Sequence, residues 1–262
     1  LIASALDMVE AAFGSNPGAW PLAAASTPEG LWLRAVAAGG QGRYAAAEAE
    51  LDRLLRVVDR GPLASLALST RASFLRQLGW HDRARSFDGA AWALTGGTGA
   101  AAADALIGLA ADALGVGRFA ASERALARAA GLVSASESTR LPIRLAWVSA
   151  ELAMARGDGS ALEHAERGVE LAAHTPSVRH RVKSLLVRAA ARCAAGDLDA
   201  ARTDGDRVLT QTGEHGLIPL RWAAASLLAG IGSTQCSAAE ITDIRDSCAE
   251  TVIRRGGVWR SR

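Results

Sequence analysis

The sequence predicts an all-α protein, an α-solenoid of about six antiparallel helix hairpins, on three observations. Six glycines, Gly42, Gly79, Gly117, Gly157, Gly196 and Gly230, stand 37, 38, 40, 39 and 34 residues apart. Seven positions before each is an alanine: Ala35, Ala72, Ala110, Ala150, Ala189 and Ala223. Half of the residues are apolar and 21% are charged, with alanine abundant and only one tyrosine, a balance that favours helix over strand and supplies a large core. A glycine stop and a small residue recurring at a period near 40 mark stacked helical hairpins rather than one globular core.

Residues 1–27 read as an N-terminal helix and linker, and 28–262 as the six hairpins. Leu1–Phe13 is amphipathic and is expected to be the second half of a hairpin. Asn16-Pro17-Gly18 and Pro21 then break the pattern. Thr27-Pro28-Glu29 places a capping hydroxyl before a proline at the first helical position, which opens the first hairpin. Ala35, the turn Gly42-Arg43-Tyr44, and Ala47, Leu51 and Leu54 complete it. The second unit runs Leu68, Ala72, Leu75, the stop at Gly79, then Ala84, Phe87 and Ala91. Gly96-Gly97-Thr98-Gly99 is a loop.

The third unit is the clearest. Leu106, Leu109, Ala110 and Ala113 form one helical stripe, Gly115-Val116-Gly117 ends it, and Phe119, Ser122, Leu126 and Ala129 start another. A short connection between such helices makes them antiparallel neighbours. The alanine between them lets the axes approach to roughly 8–10 Å. After a polar loop over 134–139, the fourth unit carries Trp147, Ala150 and Gly157. Thr175-Pro176 is expected to cap the fifth, which continues through Leu185, Ala189, Gly196-Asp197-Leu198, Ala201 and Val208. Ser237-Ala-Ala-Glu240 is a capping-box pattern opening the last helix.

The small residue, the glycine turn with a polar and then an aromatic residue, and the alanine five residues after the glycine resemble the tetratricopeptide repeat (TPR) family over about Pro28 to Arg255. Arg34, Arg71 and Arg188 stand where that family has leucine, and a period near 40 also suits HEAT-type arrays. The TPR resemblance implies a right-handed superhelix whose first helices line a concave groove. It also implies that Trp32, Ser73, Arg76, Gln77, Asp104, Arg144, Trp147, Glu151 and Lys183 contact a peptide there. Arg76, Arg144 and Lys183 in one concavity would favour an acidic segment, with Trp32 and Trp147 as apolar anchors.

Catalytic and metal signatures are missing from the sequence. The five histidines form no HExxH and no pair three or four residues apart, and no GxSxG or GxxxxGK[ST] occurs. Cys193, Cys236 and Cys248 suit reduced core thiols, not a zinc site. Expected, then, are no enzyme activity, no cofactor and no metal. A net charge of +2, with Lys183 the only lysine, is too balanced to imply nucleic acid, and the arginine excess reads as GC-rich coding bias. No leader and no uninterrupted apolar run point to the cytoplasm. Arg181, Arg188 and Arg192 share one helical face, as a carboxylate-gripping strip or as partners of neighbouring acids. Arg254, Arg255, Arg260 and Arg262 read as a solvated basic terminus.

Two functions fit. One is a non-enzymatic scaffold binding a protein or peptide, with homo-oligomerisation open to it. The other is a ligand- or peptide-sensing module of a bacterial transcriptional regulator. Glu240-Ile241, Thr251-Val252 and Gly257-Val258 loosely resemble a LuxR-type DNA-binding domain, but Cys248-Ala249 stands where a recognition helix needs a polar start, and the likeness reads as coincidence.

Overall fold

Glycine and capping residues divide the chain into helices of 12 to 17 residues. A computed structural model describes residues 2–261, and within them the protein has thirteen helices and no strand. Leu1 and Arg262, at the ends of the expected first helix and basic terminus, lie outside the described residues. The helix α1 (Ile2–Phe13) is followed by consecutive pairs: α2 (Pro28–Gly40) with α3 (Tyr44–Leu55), α4 (Gly61–Gln77) with α5 (His81–Ala93), and α6 (Gly99–Gly115) with α7 (Phe119–Ser134). Then come α8 (Arg140–Arg156) with α9 (Ala161–Ala173), α10 (Val178–Ala194) with α11 (Leu198–Glu214), and α12 (Ile218–Ile231) with α13 (Ala238–Arg254). Partners within each pair pack extensively, and each first helix also packs on the next first helix, from α2 through α12.

The turns within the first five hairpins have one construction. Gly42, Gly79, Gly117, Gly157 and Gly196 adopt φ between 69° and 89°, a conformation that costs glycine little. The residue after each (Arg43, Trp80, Arg118, Asp158, Asp197) donates its N–H to the carbonyl five residues back, at 2.8–3.0 Å. This satisfies an orphan carbonyl at the helix end. Ala35, Ala72, Ala110, Ala150 and Ala189 are fully buried where the helices meet.

In the sixth unit the register differs from expectation. Gly230 lies inside α12, and Gly232, at φ 88°, ends that helix instead. The buried small residue is accordingly Ala225, seven positions before it, while Ala223 is only half-buried. The start of α10 also moves. Thr175 turns its hydroxyl back onto the Ala172 carbonyl, and Ser177 caps the helix through the His180 N–H. Thr27 and the Ser237/Glu240 capping box act as their sequences predict.

Both ends of the chain return to the array. Helix α1 packs on α2 and on α10, and the Gly14 carbonyl accepts the Val178 N–H at 3.1 Å. Gln41 Nε2 donates to the Pro17 and Ala19 carbonyls at 3.0 and 2.9 Å. At the other end Arg255 Nη1 donates to the Gln41 carbonyl at 2.7 Å, and Trp80 Nε1 to the Val258 carbonyl at 2.7 Å. The Arg260 N–H reaches the Leu78 carbonyl at 2.9 Å, and the Trp259 ring lies 4.5 Å from that of Trp222. The expected solvated basic terminus is therefore corrected for Arg255, which is half-buried, whereas Arg260 stays exposed. Both guanidiniums hydrogen-bond backbone carbonyls of the first two hairpins. Helix pair follows helix pair until the last touches the first.

Candidate functional site

The closed series of helices encloses a cavity of about 480 Å³. Apart from Phe13 of α1 and His81 of α5, its walls come from the six first helices, α2, α4, α6, α8, α10 and α12. All nine residues singled out from the sequence line it, but their side chains are not equally free.

Trp32 and Trp147 present faces rather than polar edges. Trp32 Nε1 donates to Thr70 Oγ1 at 2.9 Å, and Trp147 Nε1 to Ser184 Oγ at 2.8 Å. Trp147 stacks on His180, centroids 5.4 Å apart, and Lys183 Nζ lies 4.6 Å from the centre of its ring. The Ser73 hydroxyl is turned onto the Thr70 carbonyl. Gln77 accepts from the Tyr44 hydroxyl and donates to the Ser73 carbonyl. Lys183 and Glu151 face each other at 3.9 Å.

Arg76 and Asp104 are engaged internally. Arg76 pairs with Asp88 and, at 2.9 Å, with Asp112; both carboxylates are wholly buried. Burial pushes Asp112 up to about 7, against the pull of Arg76 and with added repulsion from Asp88. Asp88 is raised for the same first reason. Asp104 pairs with Arg140 at 2.9 Å and Arg144 at 3.1 Å. Burial alone would raise its pKa, but these guanidiniums outweigh it and hold Asp104 below the usual carboxylate range.

Sequence reasoning passed over Phe13, Arg140, Arg179 and His180. Phe13 lies 5.4 Å from Trp32 and 6.2 Å from His180, between centroids. The guanidiniums of Arg140 and Arg179 are each 5.8 Å from its ring centre. These residues belong to the early turns of α2, α8 and α10, so Phe13 covers the end of the cavity from which those helices start. Arg179 donates to the Val36 carbonyl at 2.9 Å and has no carboxylate partner among the described residues. Burial, with Arg140 and Arg144 nearby, lowers it to about 10. Burial likewise holds His180 well below the ordinary imidazole value, with Arg179 adding to the effect. One signal was available: Arg140 and Arg144, like Arg179 and Lys183, are four residues apart and share a helix face.

The strip of Arg181, Arg188 and Arg192 is used within the chain. Arg188 forks onto Asp204 at 2.7 and 2.8 Å, Arg192 joins it at 2.8 Å, and Arg181 bonds the Thr175 carbonyl. Arg34 and Arg71, in the leucine-type positions, similarly meet Glu50 and Glu48 of α3.

Among the described residues no cluster of histidine, cysteine and acidic side chains could hold a metal ion, and no helix is long and apolar enough to cross a membrane. The chain matches no model of a known protein family and has no match among curated proteins.

Proposed function

We propose that the chain is a non-enzymatic binding module, an α-solenoid of six TPR-like hairpins, whose ligand sits inside the ring of first helices. Two readings were open, a scaffold gripping an extended acidic peptide along a groove and a sensing module for a compact ligand or short peptide. The geometry favours the second. The carrying observation is that six first helices converge on one cavity of about 480 Å³, covered at one end by Phe13. That volume falls in the range of about 300–1,000 Å³ typical of small-ligand pockets. An open groove would instead continue past both terminal hairpins. As part of a transcriptional regulator, such a module would report ligand occupancy to an attached domain.

Ala190→Trp tests the reading. Ala190 lines the cavity half-buried, so an indole there would take up cavity volume. Ligands or peptides retained by the wild-type chain from a native extract, identified by mass spectrometry, should be lost from the folded variant. Equal retention by both would place the binding surface outside the ring.

A further inference from the structure

The charges around the cavity do not cancel, and the excess is local. Glu151 answers Lys183, and Asp88 and Asp112 hold Arg76. Asp104 is shared by Arg140 and Arg144, one carboxylate for two guanidiniums. Among the described residues the Arg179 side chain hydrogen-bonds only the Val36 carbonyl. Uncompensated positive charge thus collects at the starts of α8 and α10, beneath Phe13. Keeping cations close together away from bulk water is costly, and a bound anion would remove that cost.

The apolar half of the site lies beside this charge. Trp32, Phe13, His180 and Trp147 form a continuous series of rings, neighbours 5.4 to 6.2 Å apart. Both indole N–H groups are already bonded to hydroxyls. Neither tryptophan therefore offers a free donor, and the donors left for a ligand are the guanidiniums and the Lys183 ammonium, which stands 3.9 Å from Glu151. A planar fork of N–H groups matches a carboxylate in two-point contact.

We infer that the covered end of the cavity is a carboxylate site formed by Arg140, Arg144 and Arg179, and that the ligand is a compact organic acid whose flat apolar body lies along Trp32 and Trp147. This rests on the proposed function and specifies its ligand class. The bounded volume selects a molecule of small-ligand size, and the covered end orients it with the acid group inward.

The experiment is calorimetric titration of the full chain with 1-naphthylacetate, its neutral counterpart 1-naphthylacetamide, inorganic phosphate, and a tetrapeptide with a free C-terminal phenylalanine carboxylate. Each is repeated on Arg179→Met, with thermal melting recorded alongside. Naphthylacetate should bind saturably and the amide about tenfold or more weaker, with phosphate weaker still. Arg179→Met should lose about tenfold or more of the acid's affinity while melting no lower than wild type, because it removes a cation without orphaning a carboxylate. Four results overturn the inference: no acid binding at millimolar concentration, equal binding of acid and amide, unchanged acid binding by Arg179→Met, or binding of the tetrapeptide or phosphate in preference to the small acid. Retained ligands that Ala190→Trp abolishes and Arg179→Met leaves intact would overturn this inference alone, with the proposed function standing.

Discussion

Asp88 and Asp112 meet at one guanidinium, and a pair of buried carboxylates so placed resists double ionisation. Asp112 titrates near 7 in the folded protein, against about 3.9 for an exposed aspartate. Between those values the folded chain holds a proton that the unfolded chain has released. Its contribution to stability is therefore largest below about pH 4 and falls as pH rises towards 7. Asp112→Asn keeps the shape and cannot ionise. Urea midpoints at about pH 4.5 and about pH 8 should show the variant gaining on wild type at the higher pH. A gap that stays constant would mean Asp112 titrates normally. The triad also changes how cavity charge can be probed. Arg76→Glu would set three carboxylates together in the core, and losing one member of a buried ion pair already costs roughly 3–5 kcal/mol. Nothing in the sequence marked these aspartates as buried. Charged residues default to the surface, and what holds Asp88 of α5 and Asp112 of α6 inside is Arg76, an arginine of a third helix, α4. Arg179, by contrast, was legible as an arginine four residues before Lys183, but its lack of a partner was not.

Helix existence and pairing are the most legible scale, because the signals are local. A glycine stop and a small residue about two turns earlier were enough to place five of six turns and their buried alanines. The sixth slipped by two residues because two glycines, Gly230 and Gly232, compete and only the backbone shows which takes positive φ. The corrected register has a consequence. Ala225→Leu forces volume between packed helices and should destabilise by about 1–3 kcal/mol, whereas Ala223→Leu faces the cavity and should stay within about 0.5 kcal/mol of wild type. Chemical denaturation of the two variants decides it, and the reverse order would restore Gly230 as the stop. The cap of α10 slipped for a related reason. Thr175 and Ser177 both carry hydroxyls, one ending α9 and the other starting α10.

At the scale of the whole molecule, closure was invisible in the sequence. The residues that join the ends, Trp80 with Val258 and Gln41 with Arg255, are 178 and 214 positions apart and carry no local signature. In an open array each unit answers only to its neighbours, and terminal units fray first. Here the first and last units support one another. Trp80→Phe keeps the ring packing but deletes the hydrogen bond to the Val258 carbonyl. Hydrogen exchange should then quicken at the Ala45 amide, held by the Arg255 carbonyl, and at the Arg260 amide, held by the Leu78 carbonyl, while the α6–α7 pair is unaffected. Quickening spread evenly over all hairpins, or none, would argue against a clasp at this point. The clasp also sets a count. Repeat arrays ordinarily lengthen or shorten by whole units with little penalty, since one more unit only moves the end. A hairpin inserted into this chain between α7 and α8 would carry Val258 away from Trp80 and widen the circumference until Phe13 no longer spanned from Trp32 to His180. Unit number, a free variable in a line, is fixed here as it is in a ring.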